Sequence, residues 1–379
     1  MNEEQKTKQR KAQLAMNDFK RKYKLDKDSM VLNYASNMRP APKLKTGILS
    51  LDVATGGGFD YGRFTTIFGP MATAKSTICG MLIANAQADG KVATLIDSEN
   101  RFDPVWASKL GVNIDELLVP DLPADITAEK VLDLYIALAD AGASDLIIID
   151  SISALSPREE MEKTLEEGSM ALTARAMSRF FRKVGATNKK HDVCGVLVGQ
   201  LRSSMEKYAA VIDGLTCGNA IKSHSHYIIS ASRKQPQSAN LVTKEEGFVL
   251  TLNLLKAPGI EGLKIECEFR KNEGIDLLTD KVNICIANNI IEYIGTSYVI
   301  DDKKFRGVRS LTEAIKFSEE LQKYLDGKIE ERYLEGKLLS INQTVSKRTT
   351  ENEEDIINSI GLPDNSIILD VNELPDKEQ

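Results

Sequence analysis

Between Arg63 and Ser76 an apolar run, Arg63-Phe-Thr-Thr-Ile-Phe68, passes into Gly69-Pro-Met-Ala-Thr-Ala-Lys75-Ser76 and then into a helix-forming segment. No other stretch limits the fold as strongly, because it reads as a buried strand, a phosphate-sized loop and a helix N-terminus. The loop comes within one residue of the pattern G-x-x-x-x-G-K-[ST]. In that pattern loop amides and the helix N-terminus surround phosphate oxygens, the lysine reaches the outer phosphates, and the hydroxyl takes a magnesium ion. The candidate nucleotide-binding residues are therefore Gly69, Pro70, Met71, Ala72, Thr73, Ala74, Lys75, Ser76 and Thr77. Ala74 stands where the second glycine is expected, and a methyl group there costs free energy if the backbone needs positive φ or very close approach to phosphate. A relaxed loop, weaker nucleotide binding and a lost site are the alternatives this residue leaves open.

The chain has 379 residues, 42% of them hydrophobic, enough for one large core and, by length, two domains with tails. No apolar run reaches membrane-spanning length, and the N-terminal segment Met1-Asn-Glu-Glu-Gln-Lys-Thr-Lys-Gln-Arg10 lacks the hydrophobic stretch of a signal peptide. The expectation is a cytoplasmic protein with no membrane partner. Cys79, Cys194, Cys217, Cys267 and Cys285 are odd in number and include no C-x-x-C pair, which suits reduced thiols. His224 and His226 could form an i, i+2 pair of metal ligands on one strand face, but no third His or Cys stands at ligand spacing. Charge is distributed unevenly. Residues 1–40 hold ten Lys/Arg against five Asp/Glu, and residues 351–379 hold nine Asp/Glu against one lysine. Such asymmetry accompanies nucleic-acid partners, although it also describes a plain solvated face.

The order of elements predicts an α/β protein with a mainly parallel central sheet. Residues 2–24 read as a mostly polar helix that needs a partner surface, with Leu14, Phe19 and Tyr23 as its main apolar positions. The proline-rich Met38-Arg-Pro-Ala-Pro42 punctuates the chain after it. Leu49, Leu51 and Val53 lead into the strand and loop, a helix follows from Lys75 to about Asp89, and Val92-Ala-Thr-Leu-Ile-Asp97 is a second buried strand. Residues 127–142 form a helix. Asp145-Leu-Ile-Ile-Ile-Asp150 and Val193-Cys-Gly-Val-Leu-Val-Gly199-Gln200 are apolar strands ending in polar groups. Period-two strands at 227–232, 248–255 and 264–270 fit an antiparallel far edge. Helices at about 275–288 and 311–339, with a short hairpin over 293–305 between them, make a small C-terminal α/β domain. The expected divisions are 1–45, 46–274, 275–345 and an acidic tail at 346–379.

Polar groups at the ends of adjacent parallel strands converge on one spot, which is where nucleotide chemistry is done. Asp150 is the candidate acid for organising magnesium together with Ser76, and Asp97 is its competitor. Glu99, just past the second strand, is the candidate base, and Gln200 the candidate γ-phosphate sensor. Lys75, Glu99, Asp150 and Gln200 together favour a nucleoside triphosphatase. On the helix predicted from Ser169 to about Lys183, Met177, Phe180, Phe181 and Val184 share one face and Arg175, Arg179 and Arg182 the other. That stripe is either solvated or phosphate-binding. Two long polar connections, 156–168 and 201–218, frame it and leave the sheet near the nucleotide-sensing strand ends.

From about Thr46 to Leu339 the chain resembles the RecA-type homologous recombinases, P-loop ATPases. The likeness rests on ordered motifs: Gly47-Ile-Leu-Ser-Leu-Asp52, Gly69-Pro70 with Lys75-Ser76, Ile96-Asp-Ser-Glu99, Asp103-Pro-Val-Trp-Ala-Ser-Lys-Leu-Gly111, Ile149-Asp-Ser-Ile-Ser-Ala-Leu155, Ser169-Met-Ala-Leu-Thr-Ala-Arg175, Gln200-Leu-Arg202 and Gly218-Asn-Ala-Ile-Lys222. The resemblance implies ATP and Mg2+ as cofactors, Glu99 as catalytic base and Gln200 as γ-phosphate sensor. It implies that Trp106 stacks on adenine with Asp103 beside it, and that the two long connections are single-strand-binding loops. It also implies DNA-backbone contacts by Met170, Arg175, Ser178, Arg182, Arg202, Gly218 and Asn219, and an apolar wedge between bases at Met205. Single-stranded and double-stranded DNA are the implied partners, and a helical filament, with the N-terminal helix docked on the neighbouring protomer, the implied assembly.

The departures are Ala74, Cys217 in place of the first glycine of a pair, Ser223 in place of an aromatic, and a strand Leu252-Asn-Leu-Leu-Lys256 that offers one lysine, Lys256, where the family uses two across the interface. They look more like those of a phage-borne member than of a housekeeping one. A ring-forming replicative helicase and a non-hydrolysing DNA-binding paralogue are the rival readings. The first would bring a separate N-terminal domain larger than 45 residues. Residues 351–379, net charge −8 (nine acids less one lysine), are expected to be a mobile tail that competes with DNA phosphates for basic surface. The apolar clusters Ile356-Ile357 and Ile367-Ile368-Leu369 offer a docking site for a single-strand-binding or loader protein instead.

Overall fold

The computed structural model describes residues 3–25, 36, 40–161, 172–201, 218–237, 240–259 and 262–338. The chain forms two compact units, residues 1–42 and 43–379. In the first unit α1 (Glu3–Tyr23) has acids in its first turn and Lys20, Arg21 and Lys22 in its last, both favourable to the helix dipole. None of its residues is buried, and Leu14, Phe19 and Tyr23 are exposed.

The second unit is built on an eight-stranded sheet. In chain order its elements begin with β1 (Lys43–Leu44), α2 (Leu49–Thr55), β2 (Phe59–Asp60), β3 (Phe64–Gly69), α3 (Lys75–Ala88), β4 (Ala93–Asp97) and α4 (Pro104–Lys109). They continue with α5 (Ala128–Asp140), β5 (Leu146–Asp150), α6 (Arg158–Met161), α7 (Leu172–His191), β6 (Cys194–Gln200), α8 (Gly218–His224), β7 (Ser225–Lys234), β8 (Gly247–Lys256), β9 (Leu263–Arg270) and β10 (Gly274–Ile275). The sheet order is β10-β9-β8-β7-β3-β6-β5-β4. Strands β4, β5, β6, β3 and β7 run parallel, and β7 to β10 pair antiparallel. The segment expected to lie wholly in the antiparallel edge, 227–232, is therefore the junction: β7 is parallel to β3 on one side and antiparallel to β8 on the other. Alternation in a strand reports which faces are buried and not the direction of the neighbour, which is why the sequence misplaced it.

Alternate residues feed two cores. Ile148, Val196 and Val198 pack with Ile78, Leu82 and Ile83 of α3; Ile147, Ile149 and Leu197 pack with Tyr135 of α5 and Phe180, Phe181 and Val184 of α7. Leu49, Leu51 and Val53 belong to the short helix α2. Its N-terminus is held from a distance: the Ser50 N–H donates to Asp280 Oδ2 at 3.0 Å.

Asp280 lies in α9 (Leu277–Ala287), which starts after β10 because Ile275 pairs with Phe269 and Asp276 caps the helix through the Thr279 N–H. A third core gathers Val282, Cys285, Ile300, Leu311, Ile315 and Leu325. It is covered by α9, a three-stranded sheet of β11 (Glu292–Ile294), β12 (Ser297–Ile300) and β13 (Lys303–Phe305), and two helices, α10 (Gly307–Lys316) and α11 (Glu319–Leu334). The sequence predicted a hairpin for the strands and one helix over 311–339. The helix breaks at Phe317, whose ring is 85% exposed, and restarts where Ser318 accepts from the Leu321 N–H.

The His224/His226 pair does not form. His224 ends α8 and stacks on Phe181, while His226 lies 3.0 Å from Asp60. Cys79, Cys194, Cys267 and Cys285 are buried free thiols, as expected. Among the described residues no helix is long and apolar enough to cross a membrane.

Asp52 in α2 accepts from the Thr46 N–H at 2.7 Å and the Thr46 hydroxyl at 2.8 Å. Burial outweighs those bonds and lifts its carboxyl from 3.8 to about 6. An acid whose folded-state value exceeds its unfolded one binds more protons when folded. Its contribution to stability is therefore present at low pH and is lost as pH rises from about 4 to about 6. Asp52→Asn keeps an acceptor oxygen for both Thr46 donors, so it should match the wild type near pH 4 and exceed it by about 2 kcal/mol at pH 7. Urea unfolding of the two proteins across that range measures the difference.

Candidate functional site

The apolar strand β3 is buried along its whole length and delivers Gly69 to the carboxyl end of the sheet, level with Gln200 of β6. Gly69 cannot be larger: a Cβ there would lie 2.1 Å from the Ala231 carbonyl oxygen of β7. The loop then turns through two left-handed residues, Ala72 at φ 58° and Ala74 at φ 58°, ψ 19°, before α3 starts at Lys75. Ala74 thus adopts the backbone conformation for which a glycine was expected. Thr73 Oγ1 donates to the Pro70 carbonyl at 2.9 Å, and Lys75 Nζ donates to the Gly69 and Pro70 carbonyls at 3.0 and 2.6 Å. Burial pushes the Lys75 ammonium below its usual value, against the pull of the Asp150 and Glu99 carboxylates.

Ser76 Oγ donates to Asp150 Oδ2 at 2.8 Å. Burial raises the Asp150 carboxyl; the Ser76 bond opposes this, and the charges of Glu99 and Asp97 add to it. A hydroxyl and a carboxylate in contact, short of positive charge, form a hard-oxygen pair that fits Mg2+. Asp97, the competitor, is committed elsewhere. Its two oxygens accept from the backbone N–H groups of Glu99, Arg101 and Phe102 at 3.2, 2.7 and 2.7 Å, which fixes the loop after β4.

That loop aims Glu99 across the strand ends. Its Oε1 accepts from Ser151 Oγ and Gln200 Nε2, each at 2.5 Å, and its Oε2 lies 3.3 Å from Arg101 Nη1. The Gln200 N–H donates to Ser153 Oγ at 2.8 Å. Lys75, Glu99, Asp150 and Gln200 therefore border one cavity of about 500 Å³, together with Met71 to Thr77 of the loop.

Asp103 and Trp106 line the same cavity. Asp103 caps α4 by accepting from the Val105 and Trp106 N–H groups at 2.9 and 3.0 Å, and so sets the position of the indole. Sequence reasoning missed the lining residues Arg101, Arg233, Phe248, Phe269 and Lys271. Phe248 and Phe269 face each other across β8 and β9 with stacked rings 4.6 Å apart. The period-two pattern predicted both strands but not their register, so it could not show that the two rings meet.

On α7 the predicted division of faces is observed. Met177, Phe180, Phe181 and Val184 are buried, and Arg175, Arg179 and Arg182 are exposed. Arg182 Nε donates to the Ser178 carbonyl at 3.1 Å, and Ser178 Oγ to the Ala174 carbonyl at 2.8 Å. Gly218 opens α8 and Asn219 is exposed on it. Lys256 Nζ donates to the Lys222 carbonyl at 2.6 Å. Met170, Arg202, Met205 and Cys217 lie outside the described residues, as does most of each long connection.

Left-handed backbone costs an alanine about 1 kcal/mol more than a glycine. Ala74→Gly should therefore raise the unfolding free energy by about that amount, less the entropy glycine adds to the unfolded chain. Equilibrium urea denaturation reads the change directly; a drop would mean that the loop is not under this strain.

The family model described as the RecA N-terminal domain matches residues 10–256, more than half of the chain, ending with the last residue of β8.

Proposed function

We propose that this chain, which belongs to the RecA family, is an ATP-dependent recombinase that assembles on single-stranded DNA and pairs it with homologous duplex. The observation that carries the reading is the contact of Gln200 with Glu99 beside the phosphate-binding loop. It joins the root of a long connection to the group best placed to activate water. A non-hydrolysing paralogue would have no use for that arrangement.

In this reading the triphosphate lies in the cavity with its outer phosphates toward Lys75, whose ammonium exchanges the Gly69 and Pro70 carbonyls for phosphate oxygens. Ser76 and Asp150 would hold magnesium, which when bound offsets charge on the phosphates. Glu99 takes the proton of the attacking water, and Gln200 reports the γ-phosphate to the connection that follows it. Trp106, set by Asp103, offers a ring face to the base. Arg175, Ser178 and Arg182 on α7, with Gly218 and Asn219 at the start of α8, meet the DNA backbone. Met170, Arg202 and Met205 keep the roles that the resemblance implies. The N-terminal helix serves assembly into a filament, and the acidic tail tempers binding to duplex.

Hydrolysis of ATP should rise on adding single-stranded DNA, and electron microscopy should show open helical filaments; closed rings with unwinding would point to a helicase instead. Lys75→Ala should lose turnover and nucleotide-dependent DNA binding together. Glu99→Gln should retain ATP-dependent binding while turnover falls by about two orders of magnitude or more, since an amide can orient water but not accept its proton. Changing Arg175 and Arg182 to Ala should weaken binding to all sequences and lower the salt slope by roughly 0.7 per lost phosphate contact. An unchanged slope in a titration from low to high salt would assign the stripe to solvent.

A further inference from the structure

The geometry points to Arg101 as a second phosphate-contacting cation of the site, one that leaves Glu99 for the γ-phosphate and thereby frees the base. This rests on the nucleotide-hydrolysing reading above and goes beyond it, because neither the loop pattern nor the strand-end acids required an arginine here.

Three observations carry it. First, the two oxygens of Glu99 are not equivalent. Oε1 accepts two hydrogen bonds of 2.5 Å, from Ser151 and Gln200, which uses the lone pairs such an oxygen offers. Oε2 is the oxygen left to take a proton from water, and it faces the Arg101 guanidinium at 3.3 Å. Arg101 and the attacking water compete for one atom. Second, Arg101 is anchored at its backbone and loose at its tip. Its N–H is held by Asp97 at 2.7 Å, whereas its side chain is 66% exposed and that of Glu99 16%. The guanidinium can swing while the base stays in place. Third, carboxylates outnumber cations among the groups that act on Lys75 and Asp150. Asp150 and Glu99 share one buried ammonium, Lys75, and Asp97 adds its charge beside Asp150, and a triphosphate adds more negative charge than one magnesium ion offsets. A γ-phosphate presents oxygens that a guanidinium binds through two parallel hydrogen bonds, a stronger contact than the single ion pair with Glu99.

The exchange ties activation of the base to the presence of the group to be cleaved. With Arg101 on the γ-phosphate, water occupies the place beside Oε2 and its oxygen bonds to the γ-phosphorus. The bond from phosphorus to the β,γ-bridging oxygen breaks, its electron pair leaving on ADP, and the water proton passes to Glu99 Oε2. A diphosphate has no γ-phosphate to draw the arginine away.

The test compares ADP with a triphosphate analogue carrying an imido group at the β,γ-bridge, by calorimetric titration of the full-length protein with magnesium, alongside the ATP turnover rate. Arg101→Ala should weaken the analogue about tenfold, leave ADP within about twofold, and lower turnover at saturating ATP about tenfold or more. Arg101→Lys should recover the analogue's affinity to within about threefold, because a point charge still reaches the phosphate. An equal loss for ADP and the analogue, no loss for either, or faster turnover with both affinities unchanged would each overturn the role. A wild-type protein that binds neither nucleotide would instead refute the nucleotide reading itself.

Discussion

The parallel pairing of β3 with β6 on one side and β7 on the other sets the height of the groups around the cavity. It brings Gly69 level with Gln200, and the pairing of β4 with β5 brings Asp97 level with Asp150. Both faces of these strands are apolar, so hydrophobic patterning alone would tolerate a slip of one residue. The polar ends do not. Ser76 to Asp150, Ser151 to Glu99, and Gln200 to Ser153 are hydrogen bonds that join groups at the ends of different strands, and each would be lost in a shifted register. The groups proposed for chemistry therefore also pin the sheet that presents them.

The two long connections share a root. Ser153, in the turn after β5, accepts the backbone N–H of Gln200, the last residue of β6; the first connection starts three residues after the one and the second directly after the other. The Gln200–Glu99 contact therefore sits beside the point from which both connections leave the sheet. The third core, with α9 to α11, stands apart from this region and meets the sheet unit around α2, through Asp280 on Ser50 and the Tyr333 hydroxyl on the Gly56 carbonyl.

Much of this was legible in the residues because it is local. Four apolar residues before Asp150, the same pattern before Gln200, and arginines opposite phenylalanines on α7 each declare a face or an end without reference to the rest of the chain. The misread features depend on distant partners. Asp97 looked like a rival to Asp150 because both close apolar strands; only the loop that folds back over Asp97, with its three N–H groups, shows that this carboxylate serves the backbone. Phe317 continued a helical period by its position, and nothing in that period reveals that its ring is left in solvent while Ser318 starts a new helix. Arg101 drew no notice because a charged residue in a loop is ordinarily solvated, and its meaning comes from which oxygen of Glu99 it meets.

The two glycine positions of the loop between β3 and α3 differ in kind, and this bears on how such a loop can drift in sequence. At the first, the Ala231 carbonyl stands where any side chain would begin, so replacement would drive the loop off its neighbouring strand. At the second, the demand is only for a left-handed backbone, which an alanine meets at a modest cost spread over a well-packed domain. The second position of this loop therefore accepts an alanine with the loop's shape kept, while the first is closed to change. A search for such loops that weighs both positions equally would pass over loops of this shape.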